Sequence, residues 1–260
     1  MVEGLETFTK YFKGYEDCYI LIGGTACDLW IENAGGEFRK TKDLDVIVVA
    51  GNVTVEFVKR LWAFYAEGGY TLAQKKSGDP AFFRFKNPKK GDFPYIVELF
   101  SRQDLESLVS ADKRFTVIKT DKHVSSLSAI LMDAEYYNLV ITSRVSDDHL
   151  GIPVSPPPTL IALKMKAYLD LSERKEKGEE IDSDDIKKHR NDVFRLLATL
   201  KEDDRILLTD GIQFDGKTFI EKMGKLSAEE FKSIGQAVRN KGLNRTTQLA
   251  RLEKLLGIET

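Results

Sequence analysis

The sequence has few of the features that mark secreted or membrane proteins. Among its 260 residues there are only two cysteines, Cys18 and Cys27. Two cysteines are too few for a disulfide framework or a cysteine-rich zinc site, so we expect two buried thiols. No stretch approaches the ~20 apolar residues of a membrane-spanning helix, and the first residues contain no apolar signal core. The sequence therefore predicts a soluble, cytoplasmic protein with no membrane partner.

A surplus of charge of one sign is also missing. Lys and Arg number 39 against 41 Asp and Glu, which gives a net charge of −2. The whole chain therefore has no general attraction for nucleic acid or anionic membranes, and any site for a polyanion must be a local patch. The three histidines, at positions 123, 149 and 189, show no spacing typical of metal ligands. Hydrophobic residues make up 42% and charged residues 31%, as in an ordinary globular protein.

Proline is scarce but clustered, since four of the seven prolines lie within residues 153–158. Three consecutive prolines cannot continue a helix, so we expect an extended connector there. Helix and strand patterns alternate before the connector, and helical patterns dominate after it. The sequence therefore predicts an α+β (α/β) fold. A mixed-sheet domain occupies residues 1–150, and a helical domain occupies residues 151–260. Residues 151–200 of the helical domain complete a cleft, and residues 201–260 form a helical extension.

The predicted strands are short apolar runs, and the predicted helices have apolar residues at helical spacing. We expect strands over residues 18–24, 43–50, 81–86, 95–100 and 115–120, and helices over residues 5–14, 25–36, 53–70 and 133–145. The lysine-rich link between the third and fourth strands is typical of an exposed hairpin loop.

Two segments of the first domain suggest chemistry on phosphates. Gly23, Gly24 and Thr25 follow a predicted strand and open a helix, where free backbone N–H groups, glycines and a hydroxyl can hold an anion. Asp43 and Asp45 lie two apart on the next strand, so their side chains project to the same side. Two neighbouring carboxylates repel each other unless a cation lies between them, and Mg²⁺ favours carboxylate and phosphate oxygens. The sequence thus predicts a triphosphate cradle facing a metal-binding acid pair.

A third acid, Glu98, lies within an apolar strand pattern where a carboxylate has no obvious structural reason to be. If its strand lies beside that of Asp43 and Asp45, three carboxylates converge, as two-metal phosphoryl transfer requires. We then expect two Mg²⁺ ions, with Glu98 completing the metal site and acting as a base. The alternative is that Arg84, on the neighbouring strand, neutralises Glu98 in a structural ion pair.

These motifs together resemble the polymerase-β-like nucleotidyltransferase superfamily. The segments 160–164 and 188–197 further resemble the abortive-infection toxin nucleotidyltransferases (AbiEii-like), which have a Leu-x-x-Lys-type helix followed by a Lys-Asp-x-x-Asp helix. The resemblance implies that Lys164 contacts the phosphates of an NTP, and that Lys188 and Asp192 occupy the outer positions of the second motif. In this sequence His189 stands where that motif has its middle acid, so the role of the acid is not carried over.

The implied reaction transfers a nucleoside monophosphate from an NTP to an acceptor and releases pyrophosphate. The acceptor stays open between tRNA, protein and a small molecule such as an antibiotic, and an antitoxin protein is a possible partner. A nucleotide-binding regulatory module without catalysis is the alternative from another class. Lys164 is otherwise an ordinary solvated lysine, and Asp192 is otherwise a cap or a partner of Lys188. The basic excess over residues 231–255 is either ordinary helix surface or a contact for an RNA backbone.

Overall fold

The computed structural model describes residues 2–72, 82–100 and 133–258. Their contacts form two compact units. The described residues up to Phe100, with residues 141–155, form the first unit, and residues 133–140 and 156–258 form the second. The predicted division into 1–150 and 151–260 stays a prediction. The strand predicted over residues 115–120 lies outside the described residues.

The first unit is built on a seven-stranded mixed sheet with the order β3-β4-β5-β2-β1-β7-β6. The strands are β1 (Tyr19–Ile22), β2 (Asp43–Val48), β3 (Thr71–Leu72), β4 (Phe82–Lys86), β5 (Ile96–Phe100), β6 (Val145–Ser146) and β7 (Pro153–Val154). β2 pairs antiparallel with β1 and parallel with β5, while β4 and β5 form the predicted antiparallel hairpin. The α+β fold class is therefore confirmed, and the central strand β2 has neighbours on both sides.

The helices of the first unit are α1 (Leu5–Tyr11), α2 (Gly23–Asn33) and α3 (Val55–Gly68), with short 3₁₀ turns at Glu16–Cys18 and Ala50–Asn52. The side chain of Thr54 caps α3 by accepting a hydrogen bond from Phe57 N, and Gly69 ends the helix in the left-handed conformation. Phe8 makes edge-to-face contacts with Tyr19 and Phe64, with ring centroids 5.4 and 5.6 Å apart. This aromatic cluster packs α1 and α3 together and fixes them to β1.

The second unit is helical. Its helices are α4 (Ala134–Ser143, whose last three residues belong to the first unit), α5 (Pro157–Glu176), α6 (Ser183–Leu197), α7 (Asp210–Gly224), α8 (Ala228–Ala237) and α9 (Arg245–Leu256). Residues 156–258 are described throughout and contain no strand. Phe194 of α6 meets Phe219 of α7 and Phe231 of α8, with centroids 6.4 and 5.5 Å apart.

The start of α4 joins the second unit through polar side chains. The Tyr136 hydroxyl donates to Asp215 Oδ2 at 2.9 Å, and the Thr209 hydroxyl donates to Glu135 Oε2 at 2.6 Å. Within the described parts of the chain, no helix combines the length and the apolar character that crossing a bilayer requires.

Candidate active site

The parallel pairing of β2 with β5 places the predicted acids side by side. Asp45 is the register partner of Glu98, and Asp43 is the partner of Ile96. Because residues two apart on a strand share a face, Asp43 lies on the same face of the sheet as this pair. The expected neighbourhood of the strands is thus confirmed, although β5 follows β2 only after two further strands in the chain.

The Gly23-Gly24 turn lies directly against Asp45. Ile22, the residue before the turn, is the antiparallel partner of Asp45, and Gly24 N–H donates to Asp45 Oδ2 at 3.4 Å. Gly23 has φ +66°, and a Cβ there would stand 1.8 Å from Asp45 Oδ2. Only glycine therefore fits at this position without displacing the carboxylate.

Helix α2 begins at Gly23 rather than at the predicted residue 25, because the turn itself forms the first helical residues. The side chain of Ile22 cannot cap the helix, and the first turn carries no acid. Such an N-terminus favours an anion. The buried Thr25 hydroxyl donates to the carbonyl oxygen of Asp43 at 2.9 Å, so its predicted donation to a triphosphate requires that bond to break.

Glu98 forms the ion pair that the sequence offered as an alternative. Arg84 is its register partner on β4, and Arg84 Nε lies 2.6 Å from Glu98 Oε1. The Glu98 residue is only 6% exposed. Burial raises the pKa of Glu98, and the charge of Asp43 raises it further, while Arg84, Lys86 and a hydrogen bond with Asp45 act in the opposite direction. The carboxyl is thus held among both acids and cations.

The donor set at this edge of the sheet fits Mg²⁺ in its chemistry. Asp43, Asp45 and Glu98 supply carboxylate oxygens, which hard divalent cations prefer. As the side chains lie, however, no group of three or more His, Cys, Asp or Glu in the described ranges is arranged to hold a metal ion. Asp45 contacts Gly24 N–H and Glu98 contacts Arg84. A metal ion must therefore compete with these two contacts.

In the second unit, Lys164 and Asp192 lie together. Lys164 Nζ lies 3.4 Å from Asp192 Oδ2, across α5 and α6, and Arg195 Nη1 donates to Asp192 Oδ1 at 2.7 Å. Asp192 is fully buried and Lys164 is 5% exposed. Lys164 is therefore not an ordinary solvated lysine, and Asp192 is a counter-ion inside this unit. Their contact with a nucleotide stays a prediction.

The other lysines of these helices have different partners. Lys188 Nζ lies 2.6 Å from Asp185 Oδ1, one turn earlier on α6, so the alternative pairing with Asp192 is not the one formed. Lys166 Nζ donates to Asp215 Oδ2 at 2.8 Å. Lys164 and Lys166 thus project to different surroundings, as their spacing on one helix predicted.

Two residues near the site escaped the sequence analysis. Thr41 lies against the turn, since a Cβ on Gly24 would stand 2.6 Å from Thr41 Oγ1. Lys86 is close enough for its charge to lower the pKa of Glu98. Lys86 follows Arg84 by two positions in β4, so the alternation of a strand was the signal that places both on one face. No local pattern indicated Thr41.

Comparisons with known proteins give structural likenesses of low degree. No family model and no curated protein matches the sequence. An antigenic nucleotidyltransferase-like protein from Paracoccidioides brasiliensis is 13% identical, with a TM-score of 0.44 over 89% of this chain and 90% of that one. The antibiotic-resistance factor ANT(2″)-Ia is 10% identical, with a TM-score of 0.40 over 85% of this chain and 92% of that one. Likenesses of this degree carry no conclusion about this chain.

Proposed function

We propose that the protein is a Mg²⁺-dependent nucleotidyltransferase that moves a nucleoside monophosphate from an NTP to an acceptor and releases pyrophosphate. The observation that carries the proposal is the register of β1, β2 and β5. It sets Ile22, just before the glycine turn, opposite Asp45, and Asp45 opposite Glu98. The glycine turn that begins α2 and the carboxylates thus lie together at the ends of three neighbouring strands.

The residues of the first unit have distinct roles in this proposal. Asp43, Asp45 and Glu98 hold the metal, which when bound neutralises the triphosphate and activates the acceptor hydroxyl. Gly23 and Gly24 let the chain approach the phosphates, and the N–H groups at the start of α2 donate to phosphate oxygens. Arg84 neutralises Glu98 and keeps that buried carboxylate in place until metal binds.

The second unit contributes through Lys164 in this proposal. The ammonium group of Lys164 neutralises phosphate charge, and Asp192 with Arg195 holds the lysine side chain in one position. Asp192 itself is buried completely, so it acts as a positioning residue and makes no contact with the nucleotide. Lys188 is tied to Asp185 and supplies positive charge at the surface of α6.

The test is transfer of label from α-labelled NTP, with and without Mg²⁺, in a pool of RNA, proteins and small metabolites. We expect label on one class of acceptor, pyrophosphate in equal amount, and a loss of at least about a thousandfold in rate for Asp45→Asn or Asp43→Asn. Neutralising one of two adjacent like charges leaves the melting temperature in metal-free buffer unchanged or raises it.

Two results would contradict the proposal. A large loss of melting temperature without metal in the Asp43→Asn and Asp45→Asn variants would make these acids structural. NTP binding without label transfer to any acceptor, in the presence of Mg²⁺, would favour the regulatory module. Asp184→Asn is the matched control, because Asp184 is an exposed acid of α6 paired with Lys187, which has no role in the proposal, and this variant keeps full activity.

The identity of the acceptor divides the proposal into two candidates. A role as a toxin or in phage defence places the acceptor on RNA or protein, whereas an antibiotic-type enzyme modifies a small hydroxylated molecule. The label on the acceptor decides between them in the same assay. Growth arrest on expression of the active protein, absent with Asp45→Asn, supports the toxin role.

A further inference from the structure

A groove in the second unit lies outside the proposed active-site residues. It has a volume of about 500 Å³ and is formed by α8, the turn after it and the start of α9. All residues that line it are described. The side chains that give it its polar character are Lys232, Gln236, Asn240, Lys241, Asn244 and Arg245.

The charge of the groove is of one sign. Lys232, Lys241 and Arg245 supply three cations, and no Asp or Glu belongs to the lining. Neither Lys232 nor Lys241 has an ion-pair partner among the described residues. Both are exposed. The chain as a whole has a net charge of −2, so this concentration of positive charge is a local property.

Contacts of Asn244, Arg245 and Gly235 hold the groove in shape. The Asn244 side chain caps α9 by accepting a hydrogen bond from Thr247 N at 3.0 Å. Arg245 Nη1 donates to the carbonyl oxygen of Leu226, and its guanidinium lies over the Phe231 ring at 5.8 Å. A Cβ on Gly235 would stand 2.8 Å from the carbonyl oxygen of Asn240, so α8 and the turn approach closely. The groove is thus a formed feature with an anchored arginine.

We propose that this groove binds the phosphodiester backbone of a single-stranded nucleic acid. A groove of about 500 Å³ is much larger than one phosphate group, and its cations lie on α8, on the turn and on α9, so it suits successive phosphates better than a single one. The amides of Gln236, Asn240 and Asn244 donate to phosphate and sugar oxygens. Phe231, the aromatic residue of the lining, is 4% exposed and presents no ring for base stacking. Binding is therefore electrostatic and independent of base sequence.

This inference narrows the acceptor of the proposed function to a nucleic acid, and in that respect rests on it. The binding itself needs neither Mg²⁺ nor NTP, so it is measured alone. The probes are labelled single strands of about 20 nucleotides, RNA and DNA of one sequence, bound to the full chain and followed by fluorescence anisotropy. An acidic peptide of the same net charge is the comparison probe.

The salt dependence gives the number of phosphates neutralised. Three cations on a single strand predict a slope of about −2 in log K against log[salt], or an affinity loss of about 20-fold between about 50 and 200 mM salt. Lys232→Ala with Lys241→Ala leaves one cation. We expect this double variant to bind at least about tenfold more weakly at 50 mM salt and to lose only about 2.5-fold over the same range.

The matched control is Lys201→Ala with Lys217→Ala, which removes two exposed lysines of the same unit that do not line the groove. It keeps the affinity and the salt slope of the original chain. Equal losses in the two double variants, equal binding of the acidic peptide, or no binding at 50 mM salt would each overturn the inference. RNA bound more tightly than DNA assigns the groove to RNA. The Asp45→Asn variant binds single-stranded nucleic acid as the original chain does. A failure of nucleotidyl transfer therefore leaves the inference about the groove unaffected.

Discussion

Each unit of the molecule buries an acidic side chain against a cation, but the two acids have different surroundings. Glu98 contacts Arg84 and lies beside Asp45 and in the field of Asp43, so acids outnumber the nearby cations Arg84 and Lys86. Asp192 contacts both Lys164 and Arg195, so there the cations outnumber the acid.

The sign of the local surplus indicates what each cluster can bind. Like charges gathered at one place are costly unless an opposite charge joins them. The cluster around Glu98 gains stability from an added cation, as a metal site does. The ion pairs of Asp192 join two cations to one acid, an arrangement that suits an anion such as phosphate. Four predictions test this contrast.

The largest expected effect is that of Asp192→Ala. It leaves the buried ammonium of Lys164 and the guanidinium of Arg195 without their shared carboxylate. Removing one member of a buried ion pair costs about 3–5 kcal/mol of unfolding free energy. Urea denaturation measures this loss.

Asp185→Ala is the control for Asp192→Ala, because Asp185 pairs with Lys188 at the surface of the same helix. An exposed pair contributes at most about 1 kcal/mol. Equal losses in the two variants would show that the Asp192 cluster is no more important to stability than a surface pair, and the contrast with Glu98 would fail.

Lys164→Ala tests whether the surplus charge of the second cluster serves the nucleotide. Under the proposed function, the variant binds NTP about 10- to 100-fold more weakly, since a charge-assisted contact contributes about 1.5–3 kcal/mol. Lys166→Ala breaks the contact with Asp215, which also accepts from Tyr136, and leaves NTP affinity unchanged. Titration calorimetry separates the two variants. If neither variant changes the affinity for NTP, the nucleotide site is confined to the first unit.

The sequence predicted the parts of the first site whose geometry is local. Strand alternation placed Asp43 and Asp45 on one face, and the glycine pair marked the turn before α2. Their meeting with Glu98 depended on the order of strands, because β5 reaches β2 by a parallel pairing that skips β3 and β4. No local pattern decides such a pairing. The convergence of the three acids could therefore be predicted only on the assumption that the two strands are neighbours.

Tertiary packing decided the partners in the second unit. The i,i+4 spacing within α6 favoured Lys188 as the partner of Asp192. Because α5 packs against α6, Asp192 instead forms an ion pair with Lys164, and Lys188 pairs with Asp185. Likewise no pattern in the sequence indicated that residues 133–140 join the helical unit, within which the Tyr136 hydroxyl donates to Asp215.

A smaller effect is expected from Gly23→Ala, which tests the contact between the turn and Asp45. The left-handed conformation costs an alanine about 1–2 kcal/mol, and the new Cβ displaces the Asp45 carboxylate. Gly35→Ala is the matched control, because Gly35 also has a positive φ of +77° but nothing within 4 Å of its Cβ. Both variants lose stability, but only Gly23→Ala loses the rise in melting temperature that Mg²⁺ with NTP gives. If Gly35→Ala also loses this rise in melting temperature, the contact between the turn and Asp45 has no specific role in binding Mg²⁺ and NTP.

The smallest effect is a pH slope at Glu98. The carboxyl of an unfolded glutamate has a pKa of about 4.3, and burial raises that of Glu98 in the folded protein. Between these two pKa values the folded state binds more protons, so in metal-free buffer the free energy of unfolding falls as pH rises, by at most about 1.4 kcal/mol per pH unit. Glu98→Gln removes this slope. Subtracting the unfolding free energies of the two proteins at each pH cancels the contributions of the other acids. Mg²⁺ binds the ionised carboxylate, so saturating Mg²⁺ removes the slope of the original chain above about pH 4.5 and has no such effect in Glu98→Gln. Denaturation at several pH values between about 4.5 and 7 measures both, and a slope that Mg²⁺ leaves unchanged would make Glu98 the partner of Arg84 alone.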